Sequence, residues 1–202
     1  MKISNSLVIM VLLMISPLAV MADEGGFSNI KGTEIYHFDK AHTNIMWFAD
    51  HIGFSRSLGQ FMDYDGKIEL NFDHPDQSSV MITLKTASVM TGQPKFDDHL
   101  KSADFFDVEK YPTARFVSKK ITLGEGNNAT VEGDFTLLGV TKSLTLQIQM
   151  NKRAMDITKN IRRVGFSGKA IVKRSRWGMK KYLPFIGDDV IMRFEAEALI
   201  TP

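Results

Sequence analysis

The sequence contains no cysteine among its 202 residues. Disulfide bonds, thiolate nucleophiles and zinc sites built on cysteine are therefore excluded, and stability must come from packing and backbone hydrogen bonds. An excess of one charge sign is also missing, since 25 lysine and arginine residues stand against 23 acidic residues. A formal net charge of +2 gives no electrostatic reason to expect a nucleic-acid partner.

Long apolar runs are missing as well, except for one at residues 7–20. This run follows the basic start Met1-Lys2 and is too short to span a bilayer comfortably. Val20-Met21-Ala22 then supplies residues small enough for cleavage before Asp23. These features predict a secretory signal peptide at residues 1–22, with an uncleaved N-terminal anchor as the alternative. The predicted location of the mature chain is the periplasm of a Gram-negative cell.

Apolar and polar residues alternate at the period of a β-strand through most of the remaining chain. Residues 23–33 are expected to form a flexible lead-in, and residues 34–202 a single domain of about eight or nine strands. The apolar phase changes within residues 61–72, which predicts a bulge or turn near residues 63–66. Strands at this spacing are typical of an antiparallel barrel or sandwich.

Three stretches break the alternation. Residues 97–112 combine bulky apolar residues with flanking acids, and are expected to form one or two helical turns that act as a lid on the β-structure. The acids there are expected to cap the helix or face water rather than to act as a catalytic pair. Residues 151–163 are polar and basic, and residues 177–188 are rich in lysine and aromatic residues. Both stretches are expected to be long loops.

Small residues occupy several positions that the alternation places on the inner face of the strands. They are Gly133, Gly168, Ala170, Ala196 and Ala198. A closed barrel removes unpaired strand edges, and eight strands leave room for one small ligand. The small residues either leave space for such a ligand or make room for Trp47 and the 14 phenylalanines in a filled core. The residues alone leave both interpretations open.

Candidate catalytic or metal-binding residues are few. The five histidines are His37, His42, His51, His74 and His99. None of them stands at a recognised metal-binding spacing, so no metal site is predicted. Gly-x-Ser-x-Gly is absent, and no group of residues assembles a nucleophile, a base and oxyanion donors.

Two basic clusters remain. One comprises Lys169, Lys173, Arg174 and Arg176, and the other Lys180 and Lys181. A solvated face is the simpler interpretation of such clusters. The alternative is an anionic head group held at the mouth of a barrel.

Eight short motifs follow one another in a specific order. They are DKAHTNI at 39–45, HIGFS at 51–55, GQF at 59–61, ASVMTG at 87–92, DDHLKSADFFDV at 97–108, YPTARF at 111–116, GDFTLLGVTK at 133–142 and RSRWGM at 174–179. Together they resemble the YceI-like family of exported polyisoprenoid-binding proteins, over about residues 36–200. Trp177 stands where that family usually has phenylalanine, which would narrow the cavity locally.

The resemblance implies an extended, closed, lipocalin-like antiparallel β-barrel of about eight strands with one short helical insertion. It also implies an apolar interior that holds a long isoprenoid chain, such as a quinone or its precursor, with no catalytic centre and no cofactor. By analogy, the candidate lining residues are Ile45, Trp47, Phe54, Phe61, Met90, Leu100, Phe105, Phe116, Phe135, Val172 and Met179. The candidates for polar contacts with the head group are His51, His99 and Arg176.

Three functional hypotheses follow from these features. The first is a carrier or storage protein for a polyisoprenoid or another long-chain lipid, with transient membrane contact and a homodimer as further expectations. The second is an enzyme acting on such a lipid, with His51 or His99 as general base. The third is an interaction domain whose core is filled with phenylalanine side chains.

Overall fold

The computed structural model describes residues 30–156 and 158–200, so the predicted signal peptide and most of the predicted lead-in lie outside the described residues. Within those ranges the chain forms eleven strands and one α-helix. The strands are β1 (Thr33–Phe38), β2 (Asn44–His51), β3 (Ser55–Phe61), β4 (Tyr64–Asn71), β5 (Ser79–Lys85), β6 (Val89–Met90), β7 (Thr113–Leu123), β8 (Asn128–Leu137), β9 (Val140–Asp156), β10 (Ile161–Lys173) and β11 (Asp189–Ile200). The helix is α1 (Pro94–Lys101), and no helix in the described ranges is long and apolar enough to cross a membrane.

Eight strands close a barrel in which every pairing is antiparallel. The order is β1-β4-β5-β7-β8-β9-β10-β11, and β11 pairs again with β1. Three of these strands are continued beyond a break: β1 by β2, β4 by β3, and β5 by β6. The pairing shows this, because β11 pairs with both β1 and β2. Likewise, β2 pairs with β3 as β1 pairs with β4. Within residues 30–156 and 158–200 the chain therefore runs up and down around the barrel, with no crossover connections.

The three breaks lie side by side at one level of the barrel. Met62 N donates to Ser88 O at 3.1 Å, and Lys40 Nζ lies 2.9 Å from Asp63 Oδ1. These contacts link the breaks at residues 39–43, 62–63 and 86–88. The predicted irregularity near residues 63–66 is thus found just ahead of its expected position.

The helical insertion fills a gap in the wall at one end of the barrel. In the described residues β7 pairs with β5 but not with β6, which is only two residues long. Helix α1 begins at Pro94, where a missing N–H is harmless, and turns Leu100 into the core. After the helix, the Phe106 ring packs edge-on against Phe61 at 5.5 Å. The predicted short helix is confirmed, but it begins three residues before the stretch 97–112 and ends at Lys101, so residues 102–112 lie outside it.

The predicted loop at residues 151–163 is wrong, because β9 continues to Asp156 and β10 begins at Ile161. Its many charges misled the prediction. They lie on a hairpin and are divided between its two faces: Arg153 lines the interior of the barrel, whereas Arg163 bonds on the outer face to Asp156 at 2.6 Å and to Glu197. The predicted loop at residues 177–188 is confirmed from Gly178 to Asp188, after a 3₁₀ turn at Arg174–Trp177.

The small inward residues serve two different purposes. A Cβ atom at Gly168 would lie 2.1 Å from the Phe194 ring, and one at Gly133 would lie 2.5 Å from the Phe116 ring. At these two positions the glycines make room for phenylalanine. Ala170 and Ala196 instead line a cavity, so each interpretation holds at different positions.

Replacing Gly168 with alanine is expected to destabilise the fold by about 1–3 kcal/mol, because the Phe194 ring must shift in a packed interior. Urea unfolding measures the loss. Gly165→Ala is the matched control in the same strand, since its Cβ would meet no atom closer than 3.9 Å. Adding Phe194→Leu to Gly168→Ala should recover part of the stability. Equal stability of the two alanine variants would contradict this account.

Candidate functional site

A cavity of about 840 Å³ occupies the interior of the barrel. Its walls are inward-facing apolar side chains, among them Phe116, Leu144, Ala170 and Ala196. Polar residues collect where it approaches the turns between β7 and β8 and along β9, including Asn127, Asn128, Lys152 and Arg153. We refer to this space as the first cavity.

A second cavity, of about 570 Å³, lies beneath α1 at the end of the barrel where the wall is interrupted. Aromatic side chains dominate its lining: Trp47, Phe61, Phe96, Phe105, Phe106, Phe135, Tyr182 and Phe185. Polar groups also reach it, from Gln93 and His99 on the helix side and from His51 and Arg174 on the barrel side.

The two cavities adjoin at a waist. Leu84, Phe135, Val172 and Met192 line both of them. Each cavity falls within the range of about 300–1,000 Å³ that is usual for small-molecule sites. An elongated apolar ligand that passes the waist would therefore occupy both.

Most of the residues suggested by the sequence lie around these cavities. Ile45 and Phe116 line the first cavity, while Phe135 and Val172 line both. The second cavity is lined by Trp47, Phe61, Leu100, Phe105 and Met179, and also by His51 and His99. Contact of any of these residues with a lipid stays a prediction.

Three of the suggested residues line neither cavity, and the local backbone explains each case. Phe54 lies in the turn between β2 and β3 and is 88% exposed. Met90 faces outward because its neighbour Val89 is the buried residue of β6. Arg176 is exposed on a 3₁₀ turn, with its guanidinium 5.3 Å from the centre of the Trp177 ring.

Trp177 does not narrow either cavity directly. It is almost fully buried behind the lining, where its Nε1 donates to Phe135 O at 3.1 Å. The two rings meet edge-on at 5.6 Å. Trp177 therefore supports Phe135 at the waist from outside the cavities.

Arg174 is a functional candidate that the sequence analysis named only within a basic cluster, as an alternative contact for an anionic head group, and did not include among the candidate site residues. It is only 3% exposed and lines the second cavity. Its guanidinium donates to the carbonyl oxygens of Met179, Ile186 and Gly187 at 2.9–3.1 Å. The inward phase of Ala170 and Val172 in β10, continued by two residues, would have placed Arg174 inside.

Burial lowers the pKa of Arg174, but an arginine remains protonated at neutral pH. Asp188, the acid nearest to it in sequence, is engaged elsewhere. Its two carboxylate oxygens accept hydrogen bonds from Ser175 N at 2.8 Å and Ser175 Oγ at 2.7 Å. The described residues form no ion pair with Arg174, so its charge is stabilised by the three carbonyl groups and by the longer-range attraction of Asp188.

Trp47 lines the second cavity and carries a buried polar group. Its Nε1 is buried and has no hydrogen-bond partner among the described residues. A buried donor without an acceptor is unusual in native proteins and calls for an explanation. The nitrogen is enclosed by protein atoms, so it does not face the open space of the second cavity.

A charged network connects the two sides of the mouth of the second cavity. The Asp104 carboxylate lies 3.0 Å from Lys181 Nζ and 3.1 Å from His99 Nε2. Lys181 first, and then His99, hold the pKa of Asp104 below its ordinary value. The His99 ring also packs edge-on against Tyr182 at 5.9 Å. The helix side of the mouth is thereby joined to the loop before β11.

A separate charged cluster lies on the outer face of the barrel, where β1 bends towards β2. Potential ligand atoms of Asp39, His42 and Glu197 lie within 4.8 Å of one another. Arg163 already contacts this group, with Nη2 3.3 Å from Asp39 and Nη1 bonded to Glu197. The Arg163 guanidinium therefore balances the charge of these acids. The absence of a metal site stays a prediction.

Asp156, at the end of β9, bonds to the same Arg163 and should make the stability of the fold depend on pH in the acid range. Hydrogen bonds from Thr158 and then from Arg163 hold its pKa well below the ordinary value of 3.8. A group whose pKa is lowered by folding stabilises the fold above its unfolded pKa, and this contribution is lost as pH falls through the folded pKa.

Asp156→Asn is therefore expected to destabilise the chain most at neutral pH, and the difference from the original chain should shrink below about pH 4. Urea unfolding over a series of pH values measures it. Asp76→Asn, in the exposed turn at Pro75–Gln77, is the control. A difference that stays constant from neutral to acid pH would contradict the prediction.

The chain is similar to known proteins in both sequence and fold. A family model described as a YceI-like domain matches residues 36–198. A UPF0312 protein of Pseudomonas putida strain F1 is 35% identical over 147 residues, which cover 72% of this chain and 76% of that protein.

Two solved structures are similar to this chain. BcnA of Burkholderia cenocepacia has a TM-score of 0.72 at 22% identity, covering 79% of this chain and 98% of that one. A domain from Saccharophagus degradans, described as a polyisoprenoid binding domain implicated in plant cell wall breakdown, has a TM-score of 0.63 at 13% identity, covering 82% and 98%. At these identities the two structures establish the lipocalin-like barrel fold.

Proposed function

This chain belongs to the YceI-like family, and from that premise we propose that it is a carrier or storage protein for a polyisoprenoid, such as a quinone or its precursor. The observation that carries the proposal is the pair of apolar cavities that meet at a common waist. Burial of each CH₂ group contributes about 0.8 kcal/mol. About ten buried carbons therefore offer about 8 kcal/mol, before the several kcal/mol that association costs.

The head group is proposed to lie in the second cavity. A guanidinium has five N–H groups, and the three carbonyl contacts of Arg174 leave two of them for a ligand oxygen. The ring of His99 belongs to the same lining. These groups suit a carbonyl or hydroxyl oxygen at one end of an otherwise apolar molecule.

Uptake of prenyl lipids of increasing length tests the carrier proposal. Labelled prenyl alcohols are offered in detergent, and bound label is measured after gel filtration. Affinity is expected to rise with chain length until both cavities are filled and then to level off. A chain that takes up no prenyl lipid of any length would favour the filled-core interaction domain instead.

An enzyme acting on the same lipid is the second candidate. It is favoured by the contact between His99 and Asp104, which resembles a base held by an acid, at the edge of an apolar cavity. We propose binding without conversion. Incubation with prenyl quinones and analysis of the recovered lipid decides: altered lipid that disappears with His99→Ala would establish the enzyme.

The proposed site of action is the periplasm, and the proposed mature chain begins at Asp23. Cell fractionation with N-terminal sequencing tests both points. Transient membrane contact and a homodimer are proposed as further properties of the carrier, and analytical ultracentrifugation tests the dimer.

A further inference from the structure

Two segments form one continuous surface at the mouth of the second cavity. They are residues 51–58 and residues 176–187, which we call the rim loops. Ile52 N donates to Phe185 O at 3.1 Å, and Gly187 N donates to Asp50 O at 2.9 Å. His51 and Ile186 form an additional antiparallel bridge. The two segments are therefore fixed beside each other by their backbones.

The rim loops concentrate exposed apolar side chains. Eleven large hydrophobic residues are exposed in the described part of the chain, and five of them lie in the rim loops. These five are Ile52, Phe54, Leu58, Tyr182 and Phe185. Ile52, Tyr182 and Phe185 also line the second cavity, so the apolar surface continues into the apolar interior. An exposed apolar patch of this kind marks an interaction site.

All charged side chains of the rim loops are positive. Between them they carry Arg56, Arg176, Lys180 and Lys181, and no aspartate or glutamate. Lys181 is bonded to Asp104 outside the loops. The flanking acids are also engaged, since Asp50 Oδ1 accepts from Gly53 N at 2.9 Å and Asp188 binds Ser175.

Exposed apolar side chains surrounded by lysine and arginine are typical of proteins that bind the surface of anionic membranes. Aromatic side chains enter the headgroup region, while lysine and arginine contact lipid phosphates. A membrane also contains the kind of ligand that the cavities suit. Moving a prenyl chain through water exposes every CH₂ group, and docking at the cavity mouth avoids that exposure.

We propose that the rim loops dock on an anionic lipid bilayer, with Phe54 entering the headgroup region, so that a prenyl lipid moves directly between the bilayer and the second cavity. The inference rests on the proposed carrier function. It adds the surface, the orientation and the chemistry of the membrane.

Co-sedimentation with vesicles tests the proposal. Vesicles of phosphatidylcholine with phosphatidylglycerol are compared with vesicles of phosphatidylcholine alone. The original chain is expected to sediment with the anionic vesicles, and Arg56→Gln with Lys180→Gln should weaken this preference. Phe54→Ser should lower the partition coefficient about tenfold, because one phenylalanine side chain no longer leaves water.

Leu123→Ser is the matched control, since Leu123 is 53% exposed at the end of β7 and lies outside the rim loops. It should sediment like the original chain. Equal sedimentation of Phe54→Ser and Leu123→Ser would overturn the proposal, as would failure of the original chain to bind anionic vesicles.

Uptake from detergent separates this inference from the carrier function. Phe54 lines neither cavity, so Phe54→Ser should bind prenyl lipid from detergent as the original chain does, but load more slowly from vesicles. A chain that binds prenyl lipid from detergent without binding vesicles would refute docking and leave the carrier function standing. A chain that binds no prenyl lipid would refute the carrier function itself.

Discussion

Val172→Phe is expected to lower the affinity for long prenyl chains about a thousandfold while leaving short chains almost unaffected. Val172 lies at the waist and lines both cavities, so a larger ring there closes the passage. A chain that can no longer reach past the waist loses at least one five-carbon unit, worth about 4 kcal/mol at 0.8 kcal/mol per CH₂. That loss corresponds to about three orders of magnitude in Kd.

The measurement is the dependence of Kd on chain length. Ile171→Phe is the matched control, because Ile171 is the preceding residue of β10 and is 63% exposed on the outer face. Overpacking at Val172 should destabilise the fold by about 1–3 kcal/mol, so folding is checked first by circular dichroism. An unchanged length profile in folded Val172→Phe would show that ligands do not pass the waist.

Arg174→Met is expected to lower the free energy of unfolding by about 3 kcal/mol. The substitution removes three hydrogen bonds from a charged donor and leaves three carbonyl oxygens of the 178–188 loop without that partner. The loop should become more mobile, although its backbone hydrogen bonds to Asp50 and Ile52 remain, and the second cavity should open on one side. Hydrogen exchange at Met179 to Gly187 should therefore accelerate well beyond the change in the rest of the barrel.

Two further variants sharpen this test. Arg174→Lys should recover only a small part of the loss, because an ammonium group cannot present the planar fork that reaches three separate carbonyls. Arg176→Met, two residues away and exposed, should be nearly neutral. Arg174→Met as stable as Arg176→Met would show that the buried guanidinium does not hold the loop.

The barrel was predictable because its strands obey the simplest rule of β-structure. In β8, Val131, Gly133, Phe135 and Leu137 are buried while the intervening residues are not, and the sequence alternates in the same way. Such strands need a second apolar surface, and the number and spacing of the strands favour closure. The change of phase within residues 61–72 also had a physical cause, namely the break between β3 and β4.

The errors have a common origin in charge. The β9–β10 hairpin was predicted as a loop because Lys152, Arg153, Arg162 and Arg163 resemble solvated residues in the sequence. The structure pairs Arg162 with Glu34, which lies 128 residues away. Arg174 was assigned to a solvated face for the same reason, although its partners are carbonyls of the following loop. Such partners are visible only once the chain has closed.

The lining of the cavities was predictable where it follows strand phase and unpredictable where it depends on turns. Ile45, Phe116 and Val172 are inward residues of strands, and the structure brings them to the cavities. Phe54 and Met90 belong to a turn and to a two-residue strand, where alternation gives no guidance. Whether the small inward residues make a cavity also depended on packing, since Phe194 fills the space above Gly168 but not that beside Ala170.

The central claim is that the two cavities hold one long isoprenoid chain. Native mass spectrometry of the protein purified from its own host, followed by release and identification of the bound lipid, tests it most directly. The account predicts one prenyl lipid per chain, long enough to extend through the waist at Val172 into both cavities. Protein that carries no lipid, and that also takes up no prenyl lipid when one is supplied, would contradict the claim.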